Sequence, residues 1–159
     1  MPLQYCSLMT VSPHCPQVHK TRFEKILAPT DLSQTSGRAI PYAIGLAKRF
    51  NAELTFMTAV HPDIAASSER ISIRADRNAQ MRAMVPDLDR GEGIEYRVEF
   101  ETARQAILET AAEVQADLIV MGVRDSGDFT RAKTHLPGPT AYEVLARATC
   151  PVLTIRAKV

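Results

Sequence analysis

The chain has 159 residues, 45% of them hydrophobic and 23% charged, which fits one globular domain able to bury its own core. Nineteen basic and eighteen acidic residues leave a formal net charge of +1, so no strong field attracts nucleic acid or an anionic membrane. No apolar run reaches the roughly 18 residues of a membrane span, and no signal-peptide pattern opens the chain, so we expect a cytoplasmic protein without membrane contact.

Residues 1–21 are rich in Pro, Ser, His and Thr, show no sustained periodicity and are interpreted as an N-terminal tail. The domain is expected to span residues 22–159. Within the tail, Cys6 to Val11 repeats the pattern of Cys150 to Ile155, with Cys and Thr identical and apolar residues between them. The repeat is either a coincidence of short length or the relic of a preceding domain's last strand.

The domain opens with a short apolar run, Lys25 to Pro29, followed by the sequence Thr-Asp-Leu-Ser at 30–33, a turn that can cap a helix. In the helix that follows, Pro41 is expected either to cause a kink or to move the regular part downstream. Its apolar stripe is Ala39, Ile40, Ala43, Ile44 and Ala47. Residues 54–60 are predicted to form a second buried strand, which His61-Pro62 ends.

The middle of the chain predicts a helix, an edge strand and another helix. Residues 63–88 have an irregular apolar face at helical spacing, whereas residues 94–100 alternate between apolar and charged side chains. Strict alternation is typical of a strand with one solvated face near a sheet edge. The sequence Thr-Ala-Arg-Gln at 102–105 has the form of a capping box, and an apolar helical stripe follows it to Val114.

The last part of the chain predicts a strand, a helix and a closing strand. Residues 117–122 form a buried apolar run that ends in glycine, and residues 152–155 form another. The helix between them has its apolar face at Ala141, Val144, Leu145 and Ala148. Strands that alternate with helices at this spacing predict an α/β fold, a five-stranded parallel sheet with helices on both faces.

Ligands of such sheets bind beyond the carboxyl ends of the strands, where the connections diverge to opposite faces. In this sequence those ends are Pro29 to Asp31, Val60, Phe100 and Met121 to Arg124. A candidate binding site is therefore expected at this edge of the sheet.

Several of these segments resemble the universal stress proteins. Residues 26–33 are similar to the opening strand and turn of that family, and residues 117–122 to its fourth strand. Residues 138–142 and 150–156 look like its last helix and strand, so the resemblance covers about residues 22 to 156. It implies a Rossmann-like domain of the adenine nucleotide alpha hydrolase-like type. It also implies a regulatory or protective module, and a homodimer in which Val152 to Arg156 meet across a two-fold axis.

Many members of that family bind ATP through a glycine, two residues, a second glycine, nine residues, then a glycine and a Ser or Thr. Gly122 and Gly138 match the first and third glycines, but Asp125 stands at the second, with Gly127 two residues later. The segment is three residues longer than the pattern, and Pro139 replaces the hydroxyl residue. The motif is therefore degenerate.

These departures from the motif predict weaker binding of phosphate. Pro139 lacks the N–H that a helix start would offer to an anion, and losing one hydrogen bond to a charged group, roughly 1.5 to 3 kcal/mol, weakens binding by about tenfold or more. Asp125 and Asp128 add repulsion. Three cationic side chains are expected to offset part of this loss of phosphate binding: Arg124, Arg131 and Lys133. Thr140 also offers a hydroxyl, one residue after the position at which the family has Ser or Thr.

The resemblance and the strand ends together give the candidate nucleotide-binding residues: Pro29, Thr30, Asp31, Val60, Met121, Gly122, Arg124, Gly127, Gly138 and Thr140. The expected ligand is ATP or AMP, bound weakly or not at all, with magnesium only if ATP binds. Asp31 matches the family's adenosine-contacting Asp, with a turn or helix-start role as the alternative. For Gly122 and Gly127 the alternative to phosphate contact is a tight turn.

No catalytic or metal-binding residue is predicted. The tail's Cys6, His14, Cys15 and His19 match no zinc spacing. Cys150 is expected to be a packed small hydrophobe rather than a redox nucleophile, and His61 and His135 have no evident triad partners. Two alternatives to a nucleotide-binding module stay open. One is a slow ATPase or phosphotransferase. The other is an interaction module with an unknown protein partner, its pocket closed by Leu136-Pro137 or the lengthened segment.

Overall fold

The computed structural model describes residues 22–64, 68–86, 93–123 and 139–156. Within these ranges the strands are β1 (Lys25–Pro29), β2 (Glu53–Ala59), β3 (Ile94–Glu99), β4 (Leu118–Val123) and β5 (Val152–Arg156). They form one parallel sheet in the order β3-β2-β1-β4-β5. The predicted parallel five-stranded α/β architecture is confirmed, and β3 lies at an edge as its alternating pattern indicates.

The helices of the described ranges are α1 (Gln34–Gly37), α2 (Ile40–Phe50), α3 (Arg70–Met84), α4 (Ala103–Glu113) and α5 (Pro139–Arg147), with a 3-10 turn at Pro62–Ile64. Helices α2 and α3 pack on one face of the sheet, and α4 and α5 pack on the other. Within the described residues, no helix combines the length and the apolar character that crossing a membrane requires.

The central strands are buried on both faces. In β1, Ile26 packs with the α2 and α3 side and Leu27 with the α4 and α5 side. In β4, Val120 packs with the α2 and α3 side and Ile119 with the α4 and α5 side. All four residues are at most 1% exposed. Because successive side chains of a strand point to opposite faces, such strands are near-continuous apolar runs in the sequence.

Pro41 lies in the first turn of α2, where a missing N–H costs nothing. Of the two outcomes expected for Pro41, the regular part of the helix therefore begins downstream. Leu145, expected in the apolar face of α5, is 42% exposed, whereas Ala141 and Val144 are buried.

The capping box predicted at the start of α4 is wrong. Thr102 occupies the N-cap position with extended backbone angles, but its hydroxyl accepts no capping hydrogen bond, and its buried Oγ1 has no partner among the described residues. Gln105 does not reach back to Thr102, because its Nε2 donates to Glu109 Oε1 at 2.9 Å, one turn further along the helix.

The order of the strands places a topological switch point between β1 and β4. After β1 the chain continues through α1 and α2 to β2, on one side of β1. After β4 it continues to α5 and β5, on the opposite side. Connections that diverge in this way leave a crevice above the carboxyl ends of the two strands.

Gly122 lies within β4 and is the point at which α1 approaches the sheet. A Cβ atom built on Gly122 would lie 2.7 Å from both the Ser36 Cα and the Thr35 carbonyl oxygen. Both atoms belong to backbone, so the clash has no flexible side chain to absorb it. The tight-turn interpretation of Gly122 is therefore wrong, because close packing of α1 on β4 is what requires glycine here.

Gly122→Ala is expected to lower the free energy of unfolding by about 1 to 3 kcal/mol, because the new methyl group overlaps the backbone of α1. Urea denaturation followed by circular dichroism measures this change. Gly45→Ala is the matched control: Gly45 is exposed in α2 and its added Cβ would meet nothing within 4 Å. That change is expected to stabilise by roughly 0.5 to 1 kcal/mol, so equal effects of the two substitutions would contradict the close contact.

Candidate functional site

A cleft of about 250 Å³ opens at the carboxyl ends of β1 and β4, at the switch point. It is bounded by the β1–α1 turn, the end of β2, the start of α4, the end of β4 and the start of α5. The described lining residues are Pro29, Thr30, Asp31, Ser33, Thr35, Ser36, Met57, Ala59, Ala103, Ile107, Met121, Gly122, Val123, Pro139, Thr140 and Ala141.

The structure brings together segments that are far apart in the sequence. The candidate residues in the lining are Pro29, Thr30, Asp31, Met121, Gly122 and Thr140. Arg124, Gly127 and Gly138 lie outside the described residues, as do His135, Leu136-Pro137 and the whole tail.

Val60 is the candidate that the structure places elsewhere. Its side chain is 5% exposed and packs in the cluster beneath α2 and α3, and its N–H donates to the Glu99 carbonyl at 2.8 Å. Met57 and Ala59 line the cleft instead. The reason is the two-residue alternation of an extended chain, which turns odd and even positions of this segment to opposite faces.

Thr30 is a structural residue of the turn after β1. It is 7% exposed, and its Oγ1 accepts the Leu32 N–H at 3.0 Å and shares a hydrogen bond with the Ser36 hydroxyl at 2.9 Å. Its own N–H donates to the Met57 carbonyl at 2.8 Å, which ties the turn to β2. The position of this wall of the cleft is therefore set by bonds to two neighbouring elements.

Asp31 takes part in the turn before α1 and also lines the cleft. Its Oδ1 accepts the Ser33 N–H at 3.0 Å, and the Ser33 hydroxyl in turn accepts the Ser36 N–H at 3.2 Å as the N-cap of α1. Asp31 is also exposed and lines the cleft. Leu32, which lies between Asp31 and Ser33, has a φ of 62°, a left-handed conformation that costs a non-glycine residue about 1 to 2 kcal/mol. Its partly buried side chain, packed against the core, helps to hold it there.

The floor of the cleft is apolar. Met57, Ala59, Ile107 and Met121 supply most of it. Among the described lining residues, Asp31 is the one titratable side chain. A flat apolar ring can lie on such a floor, while a carboxylate at its rim can accept hydrogen bonds from hydroxyl groups. The volume is just below the roughly 300 to 1,000 Å³ of common small-molecule sites.

The start of α5 forms the wall that is expected to face phosphate. Pro139 is the first helical residue, and Thr140 and Ala141 follow it in the lining. The first turn of a helix has N–H groups without intrahelical acceptors and the positive end of the macrodipole. Pro139 removes one of those donors. A contact between Arg104 Nη1 and Glu143 Oε1, 2.7 Å long, links this helix to the start of α4.

The candidate residues named from the sequence omit ten of the sixteen described lining residues. The missed polar residues are Ser33, which ends the predicted turn, and Thr35 and Ser36, which follow it in α1. Ala103 and Ile107 are spaced four apart on α4, and this spacing indicated only a buried stripe. No local signal in the sequence shows that the N-terminal end of this stripe faces a cleft, because the position of the cleft depends on the order of the strands.

Cys150 lies just before β5 and is partly buried against the cluster beneath α4 and α5. Burial raises the pKa of its thiol, and the negative charge of Asp117 raises that pKa further. Since the thiolate is the reactive form, this environment fits a packed side chain rather than a nucleophile.

In a Cys6→Ser, Cys15→Ser chain, Cys150 is expected to react with a disulfide reagent at pH 7 more slowly than an unstructured cysteine peptide. The raised pKa lowers the thiolate fraction, so the rate should climb at a higher pH than it does for the peptide. Stopped-flow absorbance measures both profiles, and the chain unfolded in urea is the control. Superimposable profiles for the folded chain and the peptide would contradict the burial of this thiol.

Known proteins match this chain along most of its length. A family model described as the universal stress protein family matches residues 22–156. Universal stress protein MJ0531 of Methanocaldococcus jannaschii is 32% identical over 143 residues, which cover 84% of this chain and 82% of that protein.

Solved structures share the fold. Universal stress protein UspA from Lactobacillus plantarum is 22% identical, with 85% of this chain and 99% of that chain covered and a TM-score of 0.66. A universal stress protein solved in complex with cAMP is 27% identical, with 87% and 100% covered and a TM-score of 0.61.

Proposed function

The chain belongs to the universal stress protein family, and from this premise we propose that its cleft binds the adenosine part of an adenine nucleotide with a weakened grip on the phosphates. One observation carries the proposal: Asp31, Met121 with Gly122, and the start of α5 converge on one crevice at the switch point. The relative in complex with cAMP, an adenine nucleotide, supports this class of ligand.

The base and the ribose have matching surfaces in the cleft. The adenine ring packs on the apolar floor formed by Met57, Ala59, Ile107 and Met121. The ribose hydroxyls donate to Asp31, whose carboxylate is oriented by the Ser33 N–H. The phosphates then extend toward the start of α5, where Thr140 offers a hydroxyl and N–H groups of the first turn favour an anion.

The biological role that follows is a cytoplasmic regulatory or protective module of a stress response, whose state depends on nucleotide occupancy. Family membership supports this role. A slow ATPase is the competing enzymatic function, and it requires magnesium-dependent release of ADP that falls in Asp31→Ala. The proposal expects binding of nucleotide without such turnover.

Asp31→Ala is expected to weaken AMP binding by about tenfold or more, because it removes a charged acceptor of ribose hydroxyls. Isothermal titration calorimetry measures the affinity. Asp63→Ala is the matched control, since Asp63 is an exposed carboxylate beside His61 and is not in the described cleft lining. If the natural chain binds neither AMP, ATP nor a cyclic dinucleotide, the interaction module with a closed pocket replaces the proposal.

Pro139→Ser is expected to restore part of the grip on phosphate and to raise ATP affinity by about tenfold. Adenosine, which lacks phosphate, should bind this variant and the natural chain equally well. Pro41→Ser makes the same change in the first turn of α2, away from the cleft, and should alter neither affinity. Equal gains for ATP and adenosine would show that Pro139 acts on something other than the phosphates.

A homodimer through β5 is the second part of the proposal, because the two edges of the sheet differ in chemistry. The β3 edge carries Glu95, Arg97 and Glu99, and Arg97 bonds to Glu95 at 2.8 Å and to Glu113 at 2.9 Å. The charges on this edge raise the pKa of Arg97, most strongly through the hydrogen bond to Glu95. Charged side chains at an edge oppose pairing with another chain.

The β5 edge carries an exposed apolar side chain, and α5 beside it carries two more. Leu153 in β5 is 38% exposed. Glu143 of α5 points toward Arg104 of α4, so Leu145, two residues further, lies on the opposite flank of the helix, facing away from α4. Tyr142 and Leu145 are 57% and 42% exposed. Leu153 points to the face of the sheet covered by α2, because Ile155, two residues later, packs with that cluster, whereas Tyr142 and Leu145 lie on α5 at the other face. Exposed apolar side chains on both sides of this edge suit a second copy related by a two-fold axis.

Leu153→Lys is expected to turn a dimer into a monomer, since it places a charge at the centre of the paired edge. Size-exclusion chromatography with light scattering measures the mass at several concentrations. Ile71→Lys is the matched control: Ile71 is 83% exposed on α3, at the other end of the sheet, and its change should leave the mass unaltered. A natural chain that stays monomeric at high concentration would rule out the dimer without bearing on the cleft.

A further inference from the structure

The face of α3 that packs on the sheet changes character toward the helix N-terminus. Met81 is 2% exposed and belongs to the core. Arg74 and Arg70 precede it by about two and three helical turns and therefore lie on nearly the same face. Instead of entering the core, these two arginines reach the ring of Phe100, the residue that follows β3.

Both guanidinium groups contact the same ring. The Cζ atoms of Arg70 and Arg74 lie 5.0 Å and 5.4 Å from the centroid of Phe100. Such contacts hold long side chains in defined directions. Two positive charges beside one ring also repel each other, and an anion bound between them would remove that repulsion.

Neither of these arginines has a carboxylate partner in the part of the chain that the structure describes. Arg97, by contrast, bonds to Glu95 and Glu113, and Arg104 bonds to Glu143. Guanidinium groups present planar sets of N–H donors that match the oxygens of phosphate. The donors of Arg70 and Arg74 are thus oriented by Phe100 and, among the described residues, are not used by a neighbouring acid.

The same side chains border a hollow. Arg70, Ile71, Arg74, Ala75 and Asn78 line a space of about 390 Å³. Ile71 is 83% exposed and gives it an apolar rim.

We propose that this hollow is a second binding site, separate from the cleft, for a phosphate monoester. The phosphate lies between Arg70 and Arg74, and the carbon atoms lie against Ile71 and Ala75. A small sugar or polyol phosphate and a phosphoserine side chain of a partner protein share this chemistry.

The test is a titration of the ¹⁵N-labelled full chain with glycerol 3-phosphate and, separately, with a phosphoserine peptide, at constant ionic strength. Backbone amide resonances of residues 70–78 and of Phe100 are expected to shift and to saturate. Arg70→Gln and Arg74→Gln should each weaken binding by about tenfold or more, since each removes a charged hydrogen-bond donor. Arg77→Gln is the control, because its guanidinium donates to Gln80 on the same helix and it should bind like the natural chain.

Tighter binding of glycerol 3-phosphate than of the peptide assigns the site to a free metabolite, and the reverse order assigns it to a phosphorylated partner. Equal shifts with sulfate, or an equal loss in Arg77→Gln and Arg70→Gln, would overturn the proposal, since both outcomes mean unspecific charge attraction. Absence of any saturable shift would overturn it as well. Asp31→Ala should leave this titration unchanged, so that the outcome is independent of nucleotide binding in the cleft.

Discussion

The close approach of α1 to β4 at Gly122 determines how the elements are arranged at the carboxyl ends of β1 and β4. With no Cβ between them, the backbone of Thr35 and Ser36 rests on the strand, and the β1–α1 turn is held against the switch point. The hydrogen bonds of Thr30 to Ser36 and to Met57 then fix that turn relative to β2. One missing side chain therefore lets three elements that are distant in the sequence share a single crevice.

The cleft has one wall held by hydrogen bonds and another formed by a helix start that lacks one donor. On the β1 side, Asp31 is oriented through Ser33, and the left-handed conformation of Leu32 stores strain next to the binding surface. Such strain persists only where the surroundings determine the conformation, which is often the case beside a ligand. On the α5 side, Pro139 stabilises the helix start but offers no donor. The same residue thus favours folding and disfavours phosphate, which is the physical basis for expecting adenosine recognition to outweigh phosphate recognition.

Three regions of the surface differ in their chemistry. At β3, Arg97 is neutralised by two carboxylates and closes the edge to pairing. Arg70 and Arg74 are instead directed onto Phe100 and border a hollow. At β5, apolar side chains remain exposed. An interaction with a second copy, a nucleotide and a phosphate monoester would therefore involve three separate surfaces of one small domain.

The sequence by itself determined the α/β class, the number of strands and the assignment of the central strands, because burial on both faces and helical spacing are local patterns. It also marked Asp31, Met121, Gly122 and Thr140, since strand ends and helix starts are visible in the chain. It did not show that α4 contributes Ala103 and Ile107, that Ala59 rather than Val60 faces the cleft, or that Thr102 lacks its capping bond. Those features depend on the order of the strands, on which way an extended residue turns, and on the directions of side chains near neighbouring elements. Only the tertiary structure decides them, because each is set by contacts between segments that are remote in the sequence.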